Sequence, residues 1–224
     1  MMTVSEALAS RFTARAFLET PVGGDVLRDI LDRARQAPSG GNLQPWHVWV
    51  IGGDEMKRFK ALIRKRMETD PFGEGGEYDI YPPKLKEPYR SRRFQCGEDL
   101  YATIDIARED KAGRLAQFAR NFDFFGAPAA FFFYLDRTMG PPQWSDVGMF
   151  LQSIMLLARE RGLHTCPQEA WSVWHKTAGE FFAIPDELMM FCGMGIGHLD
   201  ESQPINTLRT RRAPLEEIAT FVGI

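Results

Sequence analysis

Residues 37–53 read APSGGNLQPWHVWVIGG, and the parsing of this stretch decides the fold. Upstream, in DVLRDILDRARQA, the residues Val26, Leu27, Ile30, Leu31 and Ala34 recur at helical spacing. Pro38 ends that helix, because the residue before a proline is pushed out of the helical region. Downstream, WHVWVI is built of β-branched and aromatic residues, apolar on both faces, which predicts a strand central in a sheet. A helix-to-strand connection needs one glycine or proline. Two glycines with the amides of Asn42 and Gln44 are more than a connection requires.

Working outward, a short helix over Ser5–Ser10 takes Thr3 or Ser5 as its cap. Asp54–Glu68 reads as a charged, amphipathic surface helix. Residues 69–95 then change character, TDPFGEGGEYDIYPPKLKEPYRSRRFQ, dense in glycine, proline, tyrosine and charge. They predict an excursion over the surface, of the kind that serves as a lid or binding loop. Helical structure resumes with GEDLYATIDIAREDKAGRLAQFARNF, Asp110 opening a second helix.

AAFFFYLDR reads as a buried strand, and WSDVGMFLQSIMLLARERGL as a helix apolar nearly all round, which must be covered on most sides. A helix over Trp171–Phe182, a strand over ELMMFCGMGIGHL and a final helix in PLEEIATFV, with Pro214 in its first turn, complete the chain. Helices outnumber widely separated strands, so the fold class is α+β in a single domain over residues 1–224.

Composition narrows the function. Hydrophobic residues make up 44 % and the net charge is -3 with scattered basic residues, so neither disorder nor nucleic-acid binding is indicated. Cys96, Cys166 and Cys192 form no metal-type spacing, so no metal is expected, and an odd cysteine points to a reducing cytoplasm. No apolar stretch reaches a membrane-spanning length without charge.

Several clusters carry chemistry. In RFTARAF, period-two spacing puts Arg11, Thr13 and Arg15 on one face if the segment is extended, a donor set suited to phosphate. Taken alone, such a cluster is more often a solvated basic edge. Arg209, Arg211 and Arg212 precede a helix start, and spacing does not say whether they meet the N-terminal set. GMGIG at 193–197 runs into loop, not into a helix, so it is no dinucleotide fingerprint; small residues there imply close approach by another element. In HTCPQEAW, Cys166 with His164 and Glu169 allows a nucleophile-and-base arrangement, but apolar neighbours favour a core cysteine.

SRFTARAF, APSGGNLQPW, CPQEAW, GMGIGHLD and NTLRTRRAPLEE, in this order, resemble the FMN-dependent nitroreductase family over essentially the whole chain. The middle stretch YPPKLKEPYRSRRFQCGEDLYATIDIAREDKAGRLAQFARNFDFFGAP resembles a subgroup associated with nitroaromatic reduction. The resemblance implies an interlocked homodimer, the apolar helix around Met149–Leu157 at its centre, binding FMN at the subunit interface and drawing on NADH or NADPH. It implies ping-pong reduction of nitroaromatic or quinone-like acceptors. Enone reduction, reductive dehalogenation, or flavin binding with little turnover are the alternatives.

By the same resemblance, Arg11 and Thr13 match a phosphate-binding pair, threonine standing where serine is common. Arg15 matches the basic residue at the pyrimidine edge of the flavin. Pro38, Ser39, Gly40 and Asn42 match a segment that touches the ring, contributed largely by the partner subunit. Glu169 and Ala170 match the backbone pair beside flavin N5, and Gln168 before them joins the implied cofactor-binding residues. Arg212 matches a phosphate arginine, with Arg209 a weaker second. Gly197-His198-Leu199 departs from the family's frequent Gly-Tyr-Pro. No side chain is assigned as catalytic. Phe124, Trp144 and Tyr81 are aromatic candidates for the acceptor pocket, ordinary core being the stronger reading for Phe124.

Overall fold

The computed structural model describes residues 2–224. Its helices are α1 (Val4–Ser10), α2 (Gly24–Ala34), α3 (Gly53–Met67), α4 (Tyr89–Ala102), α5 (Lys111–Ala119), α6 (Pro141–Glu160), α7 (His175–Phe182) and α8 (Leu215–Ile218). Its strands are β1 (His47–Gly52), β2 (Ala129–Asp136), β3 (His164–Gln168) and β4 (Leu188–Gly197). They pair antiparallel in the order β1-β2-β4-β3.

The inner strands show why the sheet is covered on both sides. Along β2, Phe131, Phe133 and Leu135 join one cluster with α2 and α6, while Ala130, Phe132 and Tyr134 join another with α3, Trp171 and Trp174. All of these side chains are buried. WHVWVI is therefore not central: β1 is an edge strand, with Val50 45 % exposed. Trp49 and Ile51 pack into the cluster with α3 and Val48 into the one with α2 and α6, so apolar residues on both faces do not separate an edge strand from an inner one.

The glycines of β4 admit close neighbours, as GMGIG implied. A Cβ at Gly193 would lie 3.0 Å from Trp171 Cγ, and one at Gly197 2.7 Å from Pro128 Cδ.

Capping fixes the helix starts. Thr3 and Glu6 form a reciprocal capping box on α1, and Asp110 accepts from the Gly113 N–H on α5. The expected helix over Trp171–Phe182 is divided. Glu169–Trp174 is a 3-10 turn, which puts Trp171 and Trp174 on one buried face, and α7 follows. The carboxylate of Glu74 caps α7 by accepting from the Lys176 and Thr177 N–H groups. Glu74 belongs to the excursion, which is therefore fastened down near its start. The excursion is also shorter than its composition suggests, because α4 begins at Tyr89. The final helix spans only Leu215–Ile218, Pro214 standing before it as N-cap; its residues have no face of the protomer to pack on.

Candidate functional site

Residues 11–17 run beside β3, tied by a parallel bridge between Thr13 and Thr165. Ala14 and Ala16 point inward and are buried, so Arg11, Thr13 and Arg15 share the opposite face, as the period-two spacing predicts. All three line a cavity of about 450 Å³. Arg209 and Arg212, from the other end of the chain, line it too, whereas Arg211 does not.

The two ends are joined by Asn206, a residue with no local signal in the sequence. Its Oδ1 accepts from the Arg15 N–H (2.8 Å), and its Nδ2 donates to the carbonyls of Ala16 and Asp200 (2.9 Å each).

Electrostatics favour an anion here. Burial, and then the facing Arg212 guanidinium, hold Arg11 below its ordinary pKa. Among the described residues Arg11, Arg15, Arg209 and Arg212 have no carboxylate partner, although ion pairs are plentiful elsewhere. Four guanidiniums drawn together without a counter-charge fit a phosphate group, whose oxygens accept bidentate hydrogen bonds. This donor set fits the phosphate of FMN.

Arg15 and Cys96 also border a second cavity of about 520 Å³, lined by Tyr81, Tyr101, Phe118, Phe125, Arg93 and Asn121 among others. Gln168 supports its wall: its Nε2 donates to the Asn121 carbonyl at 2.7 Å. Gln168 Oε1 is buried without a partner. Glu169 and Ala170 follow at the end of β3; Glu169 is exposed in the protomer, and partial desolvation by its neighbours raises its carboxyl above the usual range.

The aromatic expectations divide. Tyr81 lines this cavity. Phe124 does not: it is fully buried and stacks on Trp171 at 4.4 Å. Trp144 packs against Tyr78 and Phe191 at the start of α6, away from the arginines.

The Pro38–Asn42 loop is not brought to the arginines within one protomer. It is fastened to α6, where buried Asp146 accepts from the Gly40 N–H, and it closes on itself as Ser39 Oγ accepts from the Gln44 N–H. Asn42 and Gln44 both adopt positive φ (57° and 50°), a conformation that costs a residue other than glycine stability. Gln44, unassigned by sequence, donates its side-chain amide to the Asn42 carbonyl and so shapes the loop.

A thiol nucleophile is absent from β3. Cys166 is buried, and burial pushes its thiol up to about 12, so it stays protonated. His164 receives a hydrogen bond from Arg159 at 3.0 Å; burial, then Arg159 and Arg209, push it down to about 4. The folded protein thus keeps His164 neutral, while the unfolded chain protonates it near 6.5. Between these values the unfolded state binds more protons, so stability falls as pH drops from about 6.5 to about 4, by up to about 3 kcal/mol. Thermal denaturation at stepped pH checks this: a His164→Gln variant should lose less stability across that window, and equal losses would remove His164 as the cause.

Residues 8–198 match the family model described as the Nitroreductase family. The chain belongs to the nitroreductase family. Among curated relatives, the nitroreductase-family chain is 36% identical over 219 residues to a 4-nitrobenzoate reductase of Pseudomonas putida, covering 96% of this chain and 94% of that protein. It is equally similar, at 36% over 219 residues, to a chloronitrobenzene nitroreductase of Comamonas testosteroni, covering 98% and 96%. Among solved structures, the FMN and NADPH-dependent nitroreductase NfnB from Sphigopyxis sp. strain HMH superimposes with a TM-score of 0.95 at 45% identity, covering 99% of this chain and 100% of that one. NfnB of Mycobacterium smegmatis, solved with NADPH, shares the fold at 24% identity and a TM-score of 0.92, covering 97% of each chain. Among the described residues no helix is long and apolar enough to cross a membrane.

Proposed function

We propose that this nitroreductase-family chain is an FMN-dependent oxidoreductase that uses NAD(P)H, with NADPH the favoured donor, to reduce nitroaromatic acceptors. The convergence of Arg11, Arg15, Arg209 and Arg212, unpaired, on one cavity carries this reading. The names of the relatives support the reaction class. When bound, FMN supplies the redox chemistry, accepting reducing equivalents from the donor and passing them to the acceptor in separate half-reactions.

The chain's own residues bind and orient. Arg11, Thr13, Arg209 and Arg212 hold the phosphate. Arg15, its backbone fixed by Asn206, places a positive charge where the two cavities meet and favours negative charge developing there. Gln168, Glu169 and Ala170 form the rigid end of β3 against which a ring is positioned. No side chain serves as a required acid or base, in keeping with a neutral His164 and a protonated Cys166.

The working unit is a homodimer in which the partner subunit supplies its Pro38–Asn42 loop to the ring, residues 1–224 acting as one domain. Apolar surface on the protomer supports this. Met149 on α6, Leu43 beside the loop and the terminal Phe221, Val222 and Ile224 are all exposed.

Purified protein should be yellow, release FMN on denaturation, and bleach anaerobically with NADPH. Failure to bind FMN at micromolar concentration would refute the reading. Arg11→Ala should weaken FMN binding about 10- to 100-fold through the lost charged contact. It should leave the apoprotein's Tm unchanged or raised, because it also removes the repulsion from Arg212. Fluorescence titration and a thermal scan of the apoprotein read the two effects separately, and a fall in both would mean that Arg11 is structural.

A further inference from the structure

Resting on that reading, we propose that Arg93 selects acceptors that are anionic aromatics, a flat nitroarene bearing a carboxylate, over neutral ones. Arg93 lies with its guanidinium carbon 3.9 Å above the centre of the Tyr81 ring. It has no carboxylate partner among the described residues, unlike its neighbour Arg92, which pairs with Glu217. A guanidinium stacked on one aromatic face is held in plane and keeps its N–H edge free for a carboxylate.

Arg93 borders the aromatic cavity that begins at Arg15, and among the described residues no Asp or Glu lines that cavity. The walls of Tyr81, Tyr101, Phe118 and Phe125 suit a flat ring, and Arg93 supplies the matching charge.

The approach has the same sign. Arg93 and Gly97 also line a neighbouring basin of about 980 Å³. There the two acids are engaged, Glu87 with Arg90 and Glu98 with Arg114. Lys84, Lys86 and Arg93 are left as surplus positive charge facing the basin. Such a basin concentrates anions and speeds their entry, an effect that salt screens. The phosphates of a dinucleotide share this charge; the side-by-side placement of Arg93 with aromatic walls favours the aromatic acid.

The test uses FMN-loaded enzyme, with 4-nitrobenzoate and nitrobenzene as the charged and neutral probes. Wild type should prefer 4-nitrobenzoate in kcat/KM by about tenfold or more, the preference shrinking as ionic strength rises. Arg93→Ala should lower that ratio at least about tenfold, while Arg93→Lys keeps part of it. The rate at which NADPH reduces the bound flavin should move less than about twofold in both variants. A wild type without preference, or a ratio unchanged in Arg93→Ala, overturns the proposal. A loss confined to the NADPH half-reaction also overturns it and reassigns Arg93 to the donor. If NADPH bleaches the flavin but neither nitro compound restores its colour, the nitroaromatic reading itself fails, independently of Arg93.

Discussion

Gly193→Ala should lower stability by about 3 kcal/mol, a fall in Tm of about 6–12 °C for a chain of this length. The added methyl would meet the five-membered ring of Trp171, 3.0 Å from Cγ and closer to Cδ1. Trp171 has nowhere to go. It is fully buried, stacked on Phe124 at 4.4 Å and contacted edge-on by Phe122 and Phe132. Relief must therefore come from the backbone of β4, an inner strand, or from the turn that carries Glu169 and Ala170 toward the site. Overpacking of a jammed core commonly costs 1–3 kcal/mol, and the aromatic neighbours place this site at the top of that range.

The same substitution at Gly179 is the control. That glycine lies in α7 with nothing near its missing Cβ, so alanine should be neutral or stabilising by up to about 1 kcal/mol. Equal Tm changes in the two variants would show that contact with Trp171 is not what requires glycine at 193. Flavin affinity is a second readout: Gly193→Ala should weaken it, because the turn after β3 rests on Trp171.

What could be read from the sequence follows from how local each cause is. The shared face of Arg11, Thr13 and Arg15 was legible because alternation is a property of neighbours, and buried Ala14 and Ala16 are its counterpart. The helices α1 and α5 were legible through their caps. The role of the β4 glycines was legible as well, since a strand that does not open a helix excludes a phosphate-binding turn.

The edge position of WHVWVI was not legible. Side chains report which faces are covered, whereas an edge is defined by which backbone groups lack a neighbour. The start of α4 was obscured because none of its residues is buried in the protomer, so no apolar stripe marks it. Phe124 and Trp144 show the limit for aromatics: composition cannot tell a ring that lines a cavity from one that fills a core. Asp146, which holds the Gly40 loop from 106 residues away, and Asn206 gave no signal at all, because their partners are distant in the chain.

Asn206→Ala should release FMN, weakening its binding by at least about tenfold in a protein that still folds. Asn206 is buried and spends both ends of its amide on backbone: the Arg15 N–H, the Ala16 carbonyl and the Asp200 carbonyl. These bonds cross as many as 191 residues and, with the Asp200 N–H to Ala16 carbonyl bond and Arg209 over the Phe12 ring, hold the C-terminal arginines beside the N-terminal ones. Alanine leaves the Arg15 N–H without its partner, worth about 1–3 kcal/mol if wholly unrelieved, whereas the Ala16 carbonyl keeps the Asp200 N–H (3.2 Å) and the Asp200 carbonyl keeps the Gln203 N–H (3.4 Å). Relaxation of the segments moves Arg15 away from Arg209 and Arg212, and a phosphate site built from both ends of the chain loses its geometry before the sheet loses its packing. The affinity should therefore be measured well below the variant's Tm, with circular dichroism confirming that the helices are intact. Asn206→Asp makes the graded case, keeping the acceptor for Arg15 while losing both donated bonds and adding a negative charge near the arginines. It should bind FMN no better than the alanine variant despite similar shape. Thr207→Ala, which removes only an exposed hydroxyl bonded to the Pro204 carbonyl, should retain wild-type affinity. If Asn206→Ala holds FMN as tightly as Thr207→Ala does, the two arginine clusters are kept together by something other than this amide.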